Sequence, residues 1–141
     1  MRKRVVVWGT GNVGAPAIRA VVSHAGLELA GVVVSSSEKE GRDAADLAGL
    51  SERTGIAATR DSSALLATGA IDAIDAVVYA ALMENRFEEA FGEILACLAA
   101  GASVVTSGLY PLQHEASAPE PLLDMVRRAT KQSGASLFPV R

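Results

Sequence analysis

Apolar and polar positions along the chain follow two alternating periods. Residues 4–8 form a short β-branched apolar run, which predicts a buried strand. Residues 12–24 place Val13, Ala17, Ile18, Val21 and Val22 on one helical stripe. A second strand is predicted over 27–34, apolar apart from Glu28, and a polar loop over 35–42. Residues 43–50 fit one or two helical turns, 56–59 a short third strand, and 62–67 a short helix with Ser62 as its N-cap. Strand character returns at 76–80. The clearest helix covers 85–100, with Phe87, Phe91, Ile94, Leu95 and Leu98 at helical spacing and Gly101 as its stop. A strand is predicted at 103–106. A helix follows at 118–132 that tolerates Pro119 and Pro121 in its opening turn, and a last short strand at 135–138.

Strand–helix alternation with near-continuous hydrophobic strands predicts a parallel sheet covered by helices. Right-handed crossovers then give an α/β chain with a Rossmann-type doubly wound sheet, helices on both faces, in three layers. No linker, repeat or low-complexity tract interrupts the pattern, so residues 1–141 read as one domain. A domain of this size buries about two thirds of the surface its unfolded chain exposes. Half the residues are apolar but only 4% are aromatic, so the core must be built from Ala, Val, Leu and Ile.

Net charge is −3 and the pI about 5.4. That balance disfavours non-specific binding to nucleic acid or to an anionic membrane. No stretch approaches the roughly 20 apolar residues of a membrane helix. The basic-then-apolar start is broken too early, by Gly9, for a signal peptide. The single cysteine, Cys97, can form neither an internal disulfide nor a zinc cage, and fits a reducing cytoplasm. It falls on or beside the apolar stripe of helix 85–100 and reads as a small core residue.

Gly9, Thr10, Gly11, Asn12, Val13 and Gly14 match G-x-G-x-x-G. Alone the pattern is weak. Here it leaves the first apolar strand and opens the first helix, the context its chemistry requires. Gly9 permits the tight turn, Gly11 lets backbone approach a pyrophosphate, and Gly14 lets the helix pack near the sheet. Amides at the helix start, with its partial positive charge, then face the anion. No Gly-Lys-Ser/Thr follows, so this is not a P-loop, and Trp8 just before the turn reads as a packing residue.

An acid that takes the adenosine ribose hydroxyls is expected at the end of the second strand in an NAD-binding fold. It is missing there. Ser35, Ser36 and Ser37 occupy the place, with Lys39 and Arg42 close behind. Hydroxyl donors and cations suit a 2′-phosphate, which a carboxylate would repel, so the loop leans to NADP. Glu38 and Glu40 keep NAD open, and for Lys39 and Arg42 a merely solvated loop is an equal reading. Two more strand ends face the same edge. At Ala80 and Ala81 small residues let a dinucleotide pass close to the backbone, and Ser107 and Gly108 offer polar groups to a nicotinamide carboxamide. Plain loops explain both segments as well.

No nucleophile elbow occurs, and His24 and His114 lack metal-ligand spacing and read as surface residues, with His24 suited as a cation to a helix end. Asp43, Asp46, Glu88 and Glu89 read as helix-start charges and a solvated face rather than an acid/base pair. No credible proton donor is placed to act on a substrate.

Residues 6–14, then Gly31, Val32, Val33 and Val34, and above all residues 37–49 with Glu38, Arg42, Asp43, Asp46 and Gly49, resemble the dihydrodipicolinate-reductase-like group. Within it the chain looks most like the 2,4-diaminopentanoate-dehydrogenase-like proteins. Residues 76–80 and 104–111 continue the likeness, which extends to about Phe138. The resemblance implies an NAD(P)-dependent oxidoreductase acting on C–N bonds of amino-acid-like substrates, by reducing an unsaturated heterocycle or oxidatively deaminating an amine. It also implies that the N-terminal domain binds cofactor. A C-terminal α+β domain would supply substrate contacts, proton chemistry and much of a homo-oligomer interface. Where such proteins run into that domain, this chain ends with Pro139, Val140 and Arg141. The expectation is a cofactor-binding domain without its catalytic domain, which binds nicotinamide dinucleotide but turns over no substrate by itself. Two alternatives are a non-catalytic module for NAD(P) or CoA, and a non-functional remnant.

Overall fold

A computed structural model describes residues 2–67, 73–107 and 119–140. Five strands, β1 (Lys3–Trp8), β2 (Leu27–Val33), β3 (Ala76–Tyr79), β4 (Ser103–Thr106) and β5 (Leu137–Pro139), pair in parallel in the order β2-β1-β3-β4-β5. Helices α1 (Gly14–Ser23) and α2 (Ala44–Ala48) lie on one face, where Ile18, Val21, Ala44 and Ala48 pack on Val5, Val7 and Val32. On the other face, α3 (Ser62–Leu66), α4 (Phe87–Ala99) and α5 (Glu120–Ser133) pack around Val6, Val77 and Val104. This is the expected three-layer Rossmann-type sheet. Its two helix-covered faces explain the near-continuous hydrophobic strands, since apolar side chains pointing to either face of the inner strands are buried.

Several expected boundaries move. Residues 56–59 are not a strand but make two isolated bridges, Thr59 to Val33 in parallel and Ala57 to Asp43 in antiparallel. The segment's outer side is occupied by the loop before α2, where Gly41 donates to Ala58 and Ala58 to Arg42. Helix α1 starts at Gly14 rather than residue 12, because residues 9–13 form the turn. Its buried stripe is Gly14, Ile18 and Val21, while Val13 and Val22, one position to either side, are 51% and 44% exposed. Asp61, not Ser62, caps α3, accepting from the Ala64 amide at 3.1 Å. Helix α4 waits until Phe87 because Asn85 sits at φ +62, a left-handed conformation Asn tolerates better than most side chains. Cys97 is fully buried in the core, and burial pushes its thiol up to about 12, well away from reactivity.

Asp43 does more than begin a helix. Its carboxylate accepts from the Ala45 amide at 2.8 Å, the Thr54 hydroxyl at 2.7 Å, the Thr54 amide at 3.1 Å and the Gly55 amide at 3.0 Å. These donors, the Ala45 amide first, hold the carboxyl well below its ordinary value of 3.8. A depressed folded pKa means the stabilisation is complete above the unfolded value and lost as pH falls towards the folded one. Asp43→Asn is therefore expected to lower Tm at pH 7, with a smaller gap to the parent at pH 3. Circular dichroism melts at the two pH values check it.

Candidate functional site

Because every strand is parallel, the segments leaving β1, β2, β3 and β4 emerge along one edge of the sheet. The chain leaves β1 towards α1 on one face and β3 towards α4 on the other. The crevice between these exits is the topological switch point, where open α/β sheets hold ligands.

The three glycines of the β1–α1 turn differ in what surrounds them. Gly9 donates to the Val33 carbonyl at 2.9 Å and has φ +102, and a Cβ there would meet the Ala81 nitrogen at 2.8 Å. Gly14 sits under the turn, and a Cβ would lie 1.8 Å from the Gly9 oxygen. Gly11 has neither constraint, since its φ is not positive and a Cβ would meet nothing within 4 Å. The fold itself does not demand a glycine at Gly11. What its missing side chain leaves open is the outer approach to the turn, which is the space a pyrophosphate needs.

The electrostatics of the turn match. Val13, at the N-cap of α1, has no side-chain acceptor, and no acid lies in the first turn. The amides of residues 11–14 meet no acceptor among the described residues. Gly11, Asn12 and Val13 are exposed, while Gly9 and Thr10 are half-buried. Outward-facing unpaired amides at a helix start favour an anion.

The loop after β2 is tied back to this turn. Lys39 Nζ donates to Thr10 Oγ1 at 2.9 Å, joining two expected site residues 29 positions apart. Ser36 Oγ accepts from the Glu38 amide at 3.1 Å and shapes the loop, while Ser35 and Ser37 are exposed. Glu40 is occupied, accepting from the Arg60 amide at 3.0 Å. The Arg42 side chain is exposed and makes no ion pair or hydrogen bond among the described residues. Arg60 follows Thr59, which bridges to the end of β2, so a further cation stands beside this loop. Sequence reasoning missed it. The signal was the position of Arg60 directly after the extended run 56–59.

On the opposite side, Ala80 donates to the Trp8 carbonyl at 2.7 Å, and Ala80 and Ala81 run against Gly9. Ser107 is exposed beyond the buried Thr106 at the end of β4. Gly108 and His114 lie outside the described residues. Trp8 is a packing residue as expected, 7% exposed, with its ring centroid 5.3 Å from that of Tyr79. His24 is exposed, and its Nδ1 accepts from the Gly26 amide at 2.9 Å, closing the turn after α1. No described helix is long and apolar enough to cross a membrane.

Residues 3–105 match the family model for the N-terminus of dihydrodipicolinate reductase. The chain belongs to that family. An amine dehydrogenase from Streptomyces virginiae is 45% identical over 133 residues, which is 94% of this chain but 36% of that protein. The structure of amine dehydrogenase from Mycobacterium smegmatis superposes with a TM-score of 0.81 at 24% identity, over 99% of this chain and 39% of that one. An NAD-binding protein from Listeria innocua superposes at 0.65 with 23% identity, over 97% of this chain and 34% of that one. These structural likenesses establish the fold. The dihydrodipicolinate reductase family domain therefore spans little more than a third of these relatives.

Proposed function

We propose that this chain is the NAD(P)-binding domain of an oxidoreductase acting on C–N bonds of amino-acid-like substrates, in the manner of an amine dehydrogenase. The observation that carries this reading is Gly11, a glycine the fold does not require, in a turn whose outward amides are unpaired. Gly9, Thr10, Gly11, Asn12, Val13 and Gly14 would hold the pyrophosphate. Ser35, Ser36, Ser37, Lys39 and Arg42 would face the adenosine ribose. Ala80, Ala81, Ser107 and Gly108 would border the nicotinamide half. The nicotinamide, when bound, supplies hydride transfer, and the protein orients it. The names of the relatives support the substrate class, with substrate contacts and proton chemistry coming from outside residues 1–141. The buried thiol of Cys97 fits a cytoplasmic setting.

NADP is the preferred cofactor in this reading. The Lys39 ammonium already bridges the ribose loop and the phosphate turn, Glu40 is engaged by a backbone amide, and Arg60 adds charge nearby. Fluorescence titration is expected to give micromolar-scale affinity for NADPH and weaker binding of NADH. Lys39→Glu should weaken NADPH about tenfold or more, the scale of one or two charge-assisted hydrogen bonds, with a much smaller effect on NADH. A chain that binds CoA and neither dinucleotide would overturn the proposal.

A further inference from the structure

Beneath the loop that leaves β3 lies a polar cluster that the proposed cofactor contacts do not use. One guanidinium nitrogen of Arg86 donates to the Leu82 carbonyl at 2.6 Å and to the Tyr79 hydroxyl at 3.2 Å. The other donates to Glu93 Oε1 at 3.0 Å and lies 3.3 Å from Glu89 Oε1. The Tyr79 hydroxyl donates to the same Glu93 oxygen at 2.5 Å. Burial, then the Glu93 bond, pushes this phenol above its ordinary range, so it stays a neutral donor and acceptor.

The cluster reaches the crevice through the backbone. Tyr79 directly precedes Ala80 and packs on Trp8, which directly precedes Gly9. The loop is pinned at its start by Ala80 N–H to Trp8 and at its end by Arg86 N–H to Met83. Between them Arg86 holds the Leu82 carbonyl by its hydrogen bond, while the Leu82 side chain stands 79% exposed. A charged donor to a carbonyl fixes a loop more firmly than a neutral one. With the glycine turn at the exit of β1 and the ribose loop beyond β2, a dinucleotide that crosses the switch point extends its other half towards β3.

We infer that Arg86 is a positioning residue for the nicotinamide-side half of the cofactor, holding the Leu82 carbonyl so that residues 80–82 form the wall of the crevice with Leu82 facing outward. This rests on the dinucleotide reading and deepens it. The consequence is a split between whole and partial ligands. Arg86→Lys keeps a charge beside Glu93 but loses the fork that reaches Leu82 and Tyr79 together. The 141-residue chain carrying Arg86→Lys should bind NADPH about fivefold or more weakly, while 2′,5′-ADP, which lacks the nicotinamide half, binds within about twofold of the parent. Tyr79→Phe, which removes one of the partners of Arg86 without adding bulk, should shift NADPH in the same direction by a smaller factor, and it decides the question if Arg86→Lys does not fold.

Calorimetric titration of both ligands, with melts to confirm folding, separates the outcomes. Unchanged NADPH affinity in the folded variants overturns the role of Arg86. So does an equal loss for NADPH and 2′,5′-ADP, which would mean a purely structural cluster. A parent chain that binds neither of these ligands nor NADH overturns the dinucleotide reading itself, a result distinct from the other two.

Discussion

Gly11→Ala is expected to melt with the parent and to bind NADPH about tenfold to a hundredfold more weakly. A Cβ at Gly11 meets no atom within 4 Å, and its φ is one that alanine adopts, so the folded chain gives up nothing. The added methyl instead occupies the outer approach to amides that have no acceptor among the described residues. Keeping a diphosphate from one or two such amides forfeits hydrogen bonds to charge worth about 1.5–3 kcal/mol each. Gly14→Ala should behave in the opposite way. Its Cβ would lie 1.8 Å from the Gly9 oxygen and 2.5 Å from the Gly9 carbonyl carbon, both backbone atoms that cannot rotate aside. The turn or the helix must shift, a strain on the order of 1–3 kcal/mol or more, so Tm should fall and binding with it. Melts and NADPH titrations on the pair test both statements. If Gly11→Ala bound as the parent does, the open side of the turn would not be where the diphosphate approaches.

Ile94→Ala is expected to cause a large loss of stability. Ile94 is fully buried between Phe91, Cys97 and Leu98 on the helix stripe that covers β3 and β4. Removing a buried aliphatic side chain of this size costs about 2–5 kcal/mol, because neighbours close the cavity only partly. Against a domain stability of about 5–15 kcal/mol, this should lower Tm by about 10 °C. The exposed Leu82 gives the contrasting control. Leu82→Ala removes a similar volume from a side chain 79% exposed and should leave Tm nearly unchanged. Thermal and urea melts distinguish the two, and equal losses would contradict the packing described for α4.

The hydrophobic pattern determined the architecture of this protein. Apolar runs within 4–8, 27–34 and 76–80, and the pair Val104 and Val105 within 103–106, are what a parallel sheet covered by helices requires. The stripe of Phe91, Ile94 and Leu98 is what a helix covering such a sheet requires. The glycine turn was legible for the same reason, since strand, turn and helix start are neighbours in sequence and their chemistry is local.

Other features were decided only when strand order and register brought distant segments together. The exposure of Val13 and Val22 depends on where α1 meets the sheet, and residues 56–59 lost strand character to the loop that flanks them. Lys39 finds Thr10, Glu40 takes the Arg60 amide, and Arg86 reaches back to Leu82 and Tyr79 through contacts that periodicity does not encode. Even the glycines divided in this way. The sequence supplied three at the right spacing, and the proximity of Ala81 and of the Gly9 carbonyl determined which two the fold needs and which one stands open. Side-chain period records which face a residue presents, whereas the identity of its neighbour depends on the path of the rest of the chain.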